Sequence, residues 1–458
     1  MLLKSINPHD QSVVGTLNVS SAKDIEHAVT QAQKAYPVWK DTPIKERVKH
    51  IATYKQLIHK HQQEIAELVT KEMGKPLKQS LDDIVFEMEF IDYYIENGPK
   101  FLANEQVLKN KKGTFKVTYE PFGVCACVAP WNFPLSMMNT GVLPALIAGN
   151  TVVFKPSEHC SLSQKLFADL INQTGIPNGV MNCIIGDGKV GAQLIDSDVN
   201  LVWFTGSTQV GKEIYRKCGE KFIKCLVEMG GSSPGIIFAD ANIDQAVDSL
   251  YWARFLNCGQ VCTSIKRLFV QEQVFEQVIK KFVDKLKTVK VGDPLNNSDL
   301  GPLVSKSQLQ KLKDQVKDAL EKGAKVEIGA KEISDSELVK GNYYLPTILT
   351  HVNFEMRVMK EEVFGPVWPI MSFKTETQVI GFANHTDYGL SAEVYSSDLA
   401  KAERGAKQIQ AGTVAINTDD FFFPQCPFGG YKSSGMGREY GKIGMHEFCQ
   451  VKLIAVAK

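Results

Sequence analysis

From residue 141 onward, short apolar runs alternate with amphipathic stretches, and few folds accommodate that alternation. "TVVFKPSE" reads as a strand ending in a loop, and "SLSQKLFADLINQTG" as a helix stopped at Gly175. "VMNCIIG" and "LVWFTGS" follow as further strands. Strands apolar on both faces need cover on both sides, which a parallel sheet with crossover helices provides. A second series begins near residue 232 with "PGIIFAD", the helix "FEQVIKKFVDKLKTV" and "GTVAIN". Residues 22 to 72 carry helical periodicity, and residues 114 to 129 read as extended. The expected fold class is α/β, with two lobes and ligand sites at the carboxyl ends of strands.

At 458 residues, two or three domains of about 150 residues are expected. Lys plus Arg (52) and Asp plus Glu (51) nearly cancel, so charge argues for neither nucleic acid nor an anionic membrane. No apolar run reaches the roughly 18 residues of a membrane span. The N-terminus lacks a signal-peptide core, so a cytoplasmic location is expected. The 10 cysteines are then expected to be mostly reduced, and without paired CxxC units a zinc ribbon is not expected.

Two glycine-rich turns compete for a phosphate. "IIGDGKVG" holds Gly186, Gly188 and Gly191 in a G-x-G-x-x-G pattern, a weak signal alone. "FTGSTQVGKEI" is stronger. There a strand ends at Gly206, Ser207 or Thr208 can cap the next helix, and free amides at its start suit a pyrophosphate. In "FKPSE", Lys155 and Glu158 sit where a strand ends, placed to hold ribose hydroxyls.

The stretch "RFLNCGQVCTSIKR" sets Cys258 four residues before Cys262. Metal ligation is disfavoured because no nearby side chains complete a set of four, and the compartment disfavours a disulfide. A nucleophile needs an oxyanion donor and a base. Asn132, bracketed by prolines in "APWNFP", is a candidate donor. Glu228, ahead of the glycines of "VEMGGSSPG", is a candidate base.

Together, "PWNFP", "FKPSE", "FTGSTQVG", "EMGGSSP", "GQVC", "EEVFGP" and "PFGGYKSSGMGRE" resemble the NAD(P)-dependent aldehyde dehydrogenase superfamily across essentially the whole chain. "GQVCTSIKR" and "GMHEFCQVK" most resemble its succinate-semialdehyde dehydrogenase-like branch. The resemblance implies Cys262 as nucleophile, Cys258 as bystander, Glu228 as activator of the hydrolytic water and Asn132 in the oxyanion hole. It implies that Lys155 and Glu158 hold the adenosine ribose and that Ser207 meets the pyrophosphate. Glu362 and Phe364 would position the nicotinamide ribose and ring, with Trp131, Gly206 and Gly230 also on the cofactor side. "IIGDGKVG" becomes a neighbouring turn. The implied partners are NAD, with NADP as the alternative, and a small-molecule aldehyde; no metal is implied.

The chain departs from that branch where its members carry tunnel arginines: Thr140 and Leu256 stand there instead. The loop before "PFGG" is aromatic, with Phe421, Phe422 and Phe423. A carboxylate buried there without a cation would be costly. A more apolar aldehyde is therefore expected, unless Arg254 or Lys266 faces the tunnel. Glu158 should repel a ribose 2′-phosphate and favour NAD.

The family shape implies a dinucleotide-binding domain over 1–102 and 122–230, a catalytic domain over 231–433, and an oligomerisation arm from 103–121 and 434–458. A homodimer or homotetramer is expected. Competing readings are a CoA-acylating dehydrogenase, opposed by Glu228, and a non-catalytic paralogue, opposed by Cys262, Glu228 and Asn132 together. A cysteine redox sensor pairing Cys258 with Cys262 is a further alternative.

Overall fold

The computed structural model describes residues 1–331 and 333–458. Two parallel-type sheets carry the molecule. The first has six strands: Val124–Val128, Thr151–Lys155, Met181–Cys183, Leu201–Thr205 and Lys224–Glu228 run parallel, and Gly435–Met436 adds an antiparallel edge. Its central strands are buried along their length, as "VCACV" and "TVVFK" require. The helix Pro134–Ala148, largely apolar and buried at nearly every position, packs against this sheet and the helices Ile44–Lys60 and Leu77–Phe101.

The second sheet has seven strands in the order Lys325–Ile328, Thr347–Thr350, Val367–Phe373, Ile265–Gln271, Ser233–Ile237, Ser391–Tyr395 and Thr413–Ile416. Only the edge strand Lys325–Ile328 runs antiparallel. Met229 to Ser232 carry the chain from Glu228, last residue of the first sheet's strand, to Ser233 of the second. A third sheet joins Glu105–Asn110, Gly113–Pro121 and Cys449–Ala457, all antiparallel. It exposes Val107, Leu108, Val451, Leu453, Ile454 and Val456.

Three features differ from the sequence reading. Gly435–Met436 pairs with Glu228 and Val227 rather than joining the third sheet. The helical region 22 to 72 is three helices, Ala22–Asp41, Ile44–Lys60 and Gln62–Met73, preceded by an unexpected hairpin, Leu2–Ile6 with Val13–Asn18. Finally, Cys262 lies just ahead of Ile265–Gln271, at the amino end of the second sheet rather than a carboxyl end.

Candidate active site

Asn132 occupies the turn between the strand Val124–Val128 and the helix opened by Pro134. Proline at the first helical position fixes where that helix begins, so "WNF" is held as a short rigid link. Opposite it, the helix Ile243–Phe255 ends and the chain turns through Leu256–Gly259. Asn257 and Cys258 adopt left-handed backbone there, with φ of 51° and 58°. Such conformations cost on the order of 1–3 kcal/mol each in non-glycine residues and persist only when surrounding contacts enforce them. Those contacts are present. Asn257 Nδ2 donates to the Asn132 carbonyl at 2.9 Å, and the Gln260 carboxamide oxygen accepts from the Val304 amide at 3.0 Å. Asn132 Nδ2 donates to the Gln260 carbonyl at 3.1 Å. The turn and Asn132 are thus locked together, and Asn132 and Cys262 line one cavity of about 440 Å³.

Cys262 is partly exposed at this cavity, whereas Cys258 is buried and donates to the Gly301 carbonyl at 3.3 Å. Burial pushes the Cys262 thiol up to about 12; Lys266 opposes the shift, while Glu362, Glu228 and Glu439 reinforce it. Lys266 Nζ donates to the Cys262 carbonyl at 2.6 Å and lies 3.3 Å from Glu362 Oε1. That carboxylate oxygen also accepts from the Gly231 amide at 3.1 Å. A Cβ on Gly230 would press on the Glu362 carboxylate that Lys266 and the Gly231 amide hold in place.

Glu228 is 5% exposed, and neither carboxylate oxygen has a normal hydrogen bond. Burial and the neighbouring Glu439 raise its carboxyl well above the usual range, against an opposing effect of Arg438. Glu439 itself is raised to about 8, again by burial, although its carboxylate accepts from Trp203 Nε1 at 2.9 Å.

Most residues expected to meet a dinucleotide lie at or just beyond the carboxyl ends of the first sheet's strands. Trp131 and Phe364 pack edge to face, ring centroids 5.5 Å apart. Lys155 Nζ lies 3.8 Å from Glu158 and donates to the Pro156 carbonyl at 2.6 Å. The Gly206 amide donates to the Glu228 carbonyl at 3.0 Å. Ser207 occupies the N-cap of Thr208–Lys221, but its side chain makes no capping bond, unlike the expectation. The helix start therefore keeps its amides free for an anion. These free amides, with Lys155 and Glu158 at the carboxyl end of another strand of the same sheet, fit a dinucleotide. By contrast, Asp187 caps the helix of "IIGDGKVG" through the Lys189 amide at 2.9 Å, leaving that turn unsuited to an anion.

The cavity also receives Leu256, Phe421 and Phe422, whereas Phe423 is outside its lining and 43% exposed. Thr140 is likewise not in the lining. It lies behind Tyr440, whose hydroxyl is 2.7 Å from Thr140 Oγ1. Arg254 and Lys266 do not face the cavity. Arg254 is buried against Ser264 Oγ (2.7 Å) and the Val367 carbonyl (2.6 Å), and Lys266 is committed to Glu362 and the Cys262 backbone. Sequence reasoning passed over Glu439 and Tyr440, although both follow "GMGR", and over the bracing by Asn257 and Gln260, whose only signal is an amide on each side of "CG".

Two sheets bridged by a short crossover, with a thiol, an amide and a buried carboxylate at the bridge, define a thiol-dependent enzyme with a nucleotide side. The chain belongs to the aldehyde dehydrogenase family, whose profile matches residues 2–454. It is 37% identical to a betaine aldehyde dehydrogenase of Bacillus subtilis over 98% of this chain and 92% of that protein. It is 35% identical to an NADP(+) succinate-semialdehyde dehydrogenase of Escherichia coli over 98% and 93%. Among solved structures, a betaine aldehyde dehydrogenase from Staphylococcus aureus in complex with NAD+ superposes with a TM-score of 0.96, at 33% identity over 99% of this chain and 91% of that one. An E. coli NADP-dependent enzyme superposes with a TM-score of 0.96, at 34% identity over 100% and 95%. Among the described residues no helix is long and apolar enough to cross a membrane.

Proposed function

We propose that this enzyme oxidises an aldehyde to a carboxylic acid with NAD, through a covalent intermediate on Cys262. The carrying observation is the placement of Cys262 and Asn132 in one cavity, with the buried, unpaired carboxylate of Glu228 close enough to perturb the thiol. Lys155, Glu158, Ser207 and the start of Thr208–Lys221 would hold the adenosine ribose and pyrophosphate. Trp131, Gly206, Gly230, Glu362 and Phe364 would flank the nicotinamide half. Glu158, 3.8 Å from Lys155, disfavours a ribose phosphate and supports NAD over NADP.

The thiolate of Cys262 adds to the aldehyde carbon, and the oxygen takes up negative charge. Asn132 Nδ2 and the Cys262 backbone amide stabilise that oxygen. The dinucleotide, when bound, supplies the acceptor for the aldehyde hydrogen as hydride, which converts the adduct to a thioester. Glu228 then takes a proton from water, which attacks the thioester and frees the acid and the thiol. A carboxyl raised by burial suits this role because it is a stronger base toward water than an ordinary carboxylate. The cavity holds no Lys, Arg or His, so a substrate carboxylate would be buried unpaired. This supports an aldehyde other than a semialdehyde of a dicarboxylic acid.

The same reading divides the chain into a dinucleotide-binding domain (1–102, 122–230), a catalytic domain (231–433) and an arm (103–121, 434–458), less the Gly435–Met436 edge strand. The apolar exposed arm sheet supports a homodimer or homotetramer. The test is NADH formation with NAD across an aldehyde panel, with and without CoA, for the wild type and Cys262→Ala. Cofactor-dependent, CoA-independent turnover lost in the variant is expected. Turnover only with CoA, or turnover surviving Cys262→Ala, would refute the reading.

A further inference from the structure

Lys266 is a buried charge that the chemistry proposed for Cys262, Asn132 and Glu228 leaves without a task. It follows Cys262 by four residues, on the strand Ile265–Gln271, and is 0% exposed. An ammonium has three N–H donors. Lys266 Nζ reaches the Val261 carbonyl at 2.9 Å, the Cys262 carbonyl at 2.6 Å and Glu362 Oε1 at 3.3 Å. It also lies 5.7 Å from the centre of the Phe364 ring. One cation therefore meets the main chain of the nucleophile together with Glu362 and Phe364, both assigned to the cofactor side.

A fully buried ammonium is costly unless it is paired. Burial works against the charged form of Lys266, and Glu362 and Cys262 are the neighbours that favour it, against Arg254. Cys262 has the converse need. A thiol attacks as its thiolate, and reactive thiolates sit beside cations. No Lys, Arg or His lines the cavity. Burial works against the thiolate, Lys266 is the neighbouring cation that opposes this, and Glu362, Glu228 and Glu439 reinforce it. The ion pair is closed on one side only: the Lys266 side chain is wholly enclosed, whereas that of Glu362 is 14% exposed. Anything that competes for this pairing must come through the carboxylate.

We infer that Lys266 is a positioning residue whose charge stabilises the Cys262 thiolate, and that Glu362, by pairing with Lys266, holds part of that charge away from the sulfur. The inference rests on the reading of Cys262 as the reacting thiol. Only an ionisation is involved: the S–H proton leaves to solvent, the electron pair stays on sulfur, and no bond to Lys266 forms. Glu362 thereby becomes the point through which a hydroxyl-bearing ligand on its exposed side would act on the nucleophile.

The test follows alkylation by iodoacetamide in the cofactor-free enzyme, read by mass spectrometry of the Cys262 peptide. At about pH 9, below the ionisation of a thiol pushed up to about 12, the rate follows the fraction of thiolate. Lys266→Met should slow it at least about tenfold, the lower end of what one neighbouring charge does to an ionisation. Lys266→Gln, which can still donate to the two carbonyls, should do the same. Glu362→Gln, which can still accept from the Gly231 amide, should instead speed it about tenfold. A lysine that merely ties the loop predicts the opposite sign, because losing its bonds to Val261 and Cys262 would open the site and free the thiol. Unchanged or faster alkylation in Lys266→Gln would overturn the inference. If neither Lys266 variant folds, Glu362→Gln decides, and an unchanged rate there would overturn it. The readout needs neither aldehyde nor cofactor. A thiol that responds as stated in an enzyme that oxidises no aldehyde would leave this inference standing and remove the reading of function.

Discussion

Replacing Asn132 with alanine isolates the oxyanion contribution with little collateral damage. The Asn132 carboxamide has two N–H donors. One is spent on the Gln260 carbonyl at 3.1 Å, which fixes the plane of the amide. The bracing bond from Asn257 goes to the Asn132 main-chain oxygen, which alanine retains. Folding stability should therefore fall by about one neutral hydrogen bond, roughly 1 kcal/mol. Catalysis should fall further, because the developing alkoxide loses a pre-aligned donor in a largely dry site. Losses of this kind run to about 100- to 1000-fold, or roughly 2.7–4 kcal/mol of transition-state stabilisation. The assay is the pre-steady-state burst of NADH, which reports steps up to the thioester. A burst slowed at least 100-fold, with NAD binding intact and the thermal midpoint within a few degrees of wild type, is expected. A burst within threefold of wild type would show that Asn132 does not hold the oxygen.

Glu228→Gln should keep the burst but slow steady turnover by about 100- to 10,000-fold, and mass spectrometry should find an acyl group on Cys262. A lost burst would instead place Glu228 before the thioester. Because burial pushes the Cys262 thiol up to about 12, alkylation of the cofactor-free enzyme by iodoacetamide should keep rising with pH through the alkaline range, about tenfold per unit. A plateau near neutrality would contradict that environment. Glu439, raised to about 8, stays protonated in the fold where the unfolded chain has already ionised. Its contribution is complete below the ordinary carboxylate range and is lost as pH rises through about 8, at most about 5 kcal/mol. Glu439→Gln, which still accepts from Trp203, should gain thermal midpoint relative to wild type as pH rises from about 5 to about 8, and parallel curves would refute this.

Much of the first sheet was legible because its strands are short, apolar and punctuated, and buried strands must read that way. Cys262, Asn132 and Glu228 were legible as individuals, since each stands out against glycine or proline neighbours. Their company was not. Glu439 reaches Trp203 across more than two hundred residues of chain, and periodicity carries no information about such pairings. Thr140 was misplaced for the same reason: its position on Pro134–Ala148 is clear, but only packing shows that Tyr440 stands between it and the cavity. The exposed Phe423 shows the limit from the other side, because a run of three phenylalanines cannot all point one way in an irregular loop. Lys266 and Arg254 looked available as cations. Both are consumed by backbone carbonyls, and Lys266 also by Glu362, contacts that no local pattern announces.

The antiparallel strand Gly435–Met436 closes the first sheet with residues made about 200 positions after the strand they pair with. On the ribosome, the strands from Val124 to Glu228 emerge long before their edge partner exists. At the usual pace of synthesis, the interval is on the order of ten to forty seconds. Throughout it, Lys224–Glu228 is an open edge, and Glu228 lacks the neighbour that Glu439 will become. The base therefore acquires its buried setting only when the second lobe is complete and the chain has doubled back. A nascent chain that has reached Cys262 already holds Glu228 but not the burial that tunes it, so the order of synthesis delays the finished site until the second lobe closes around it.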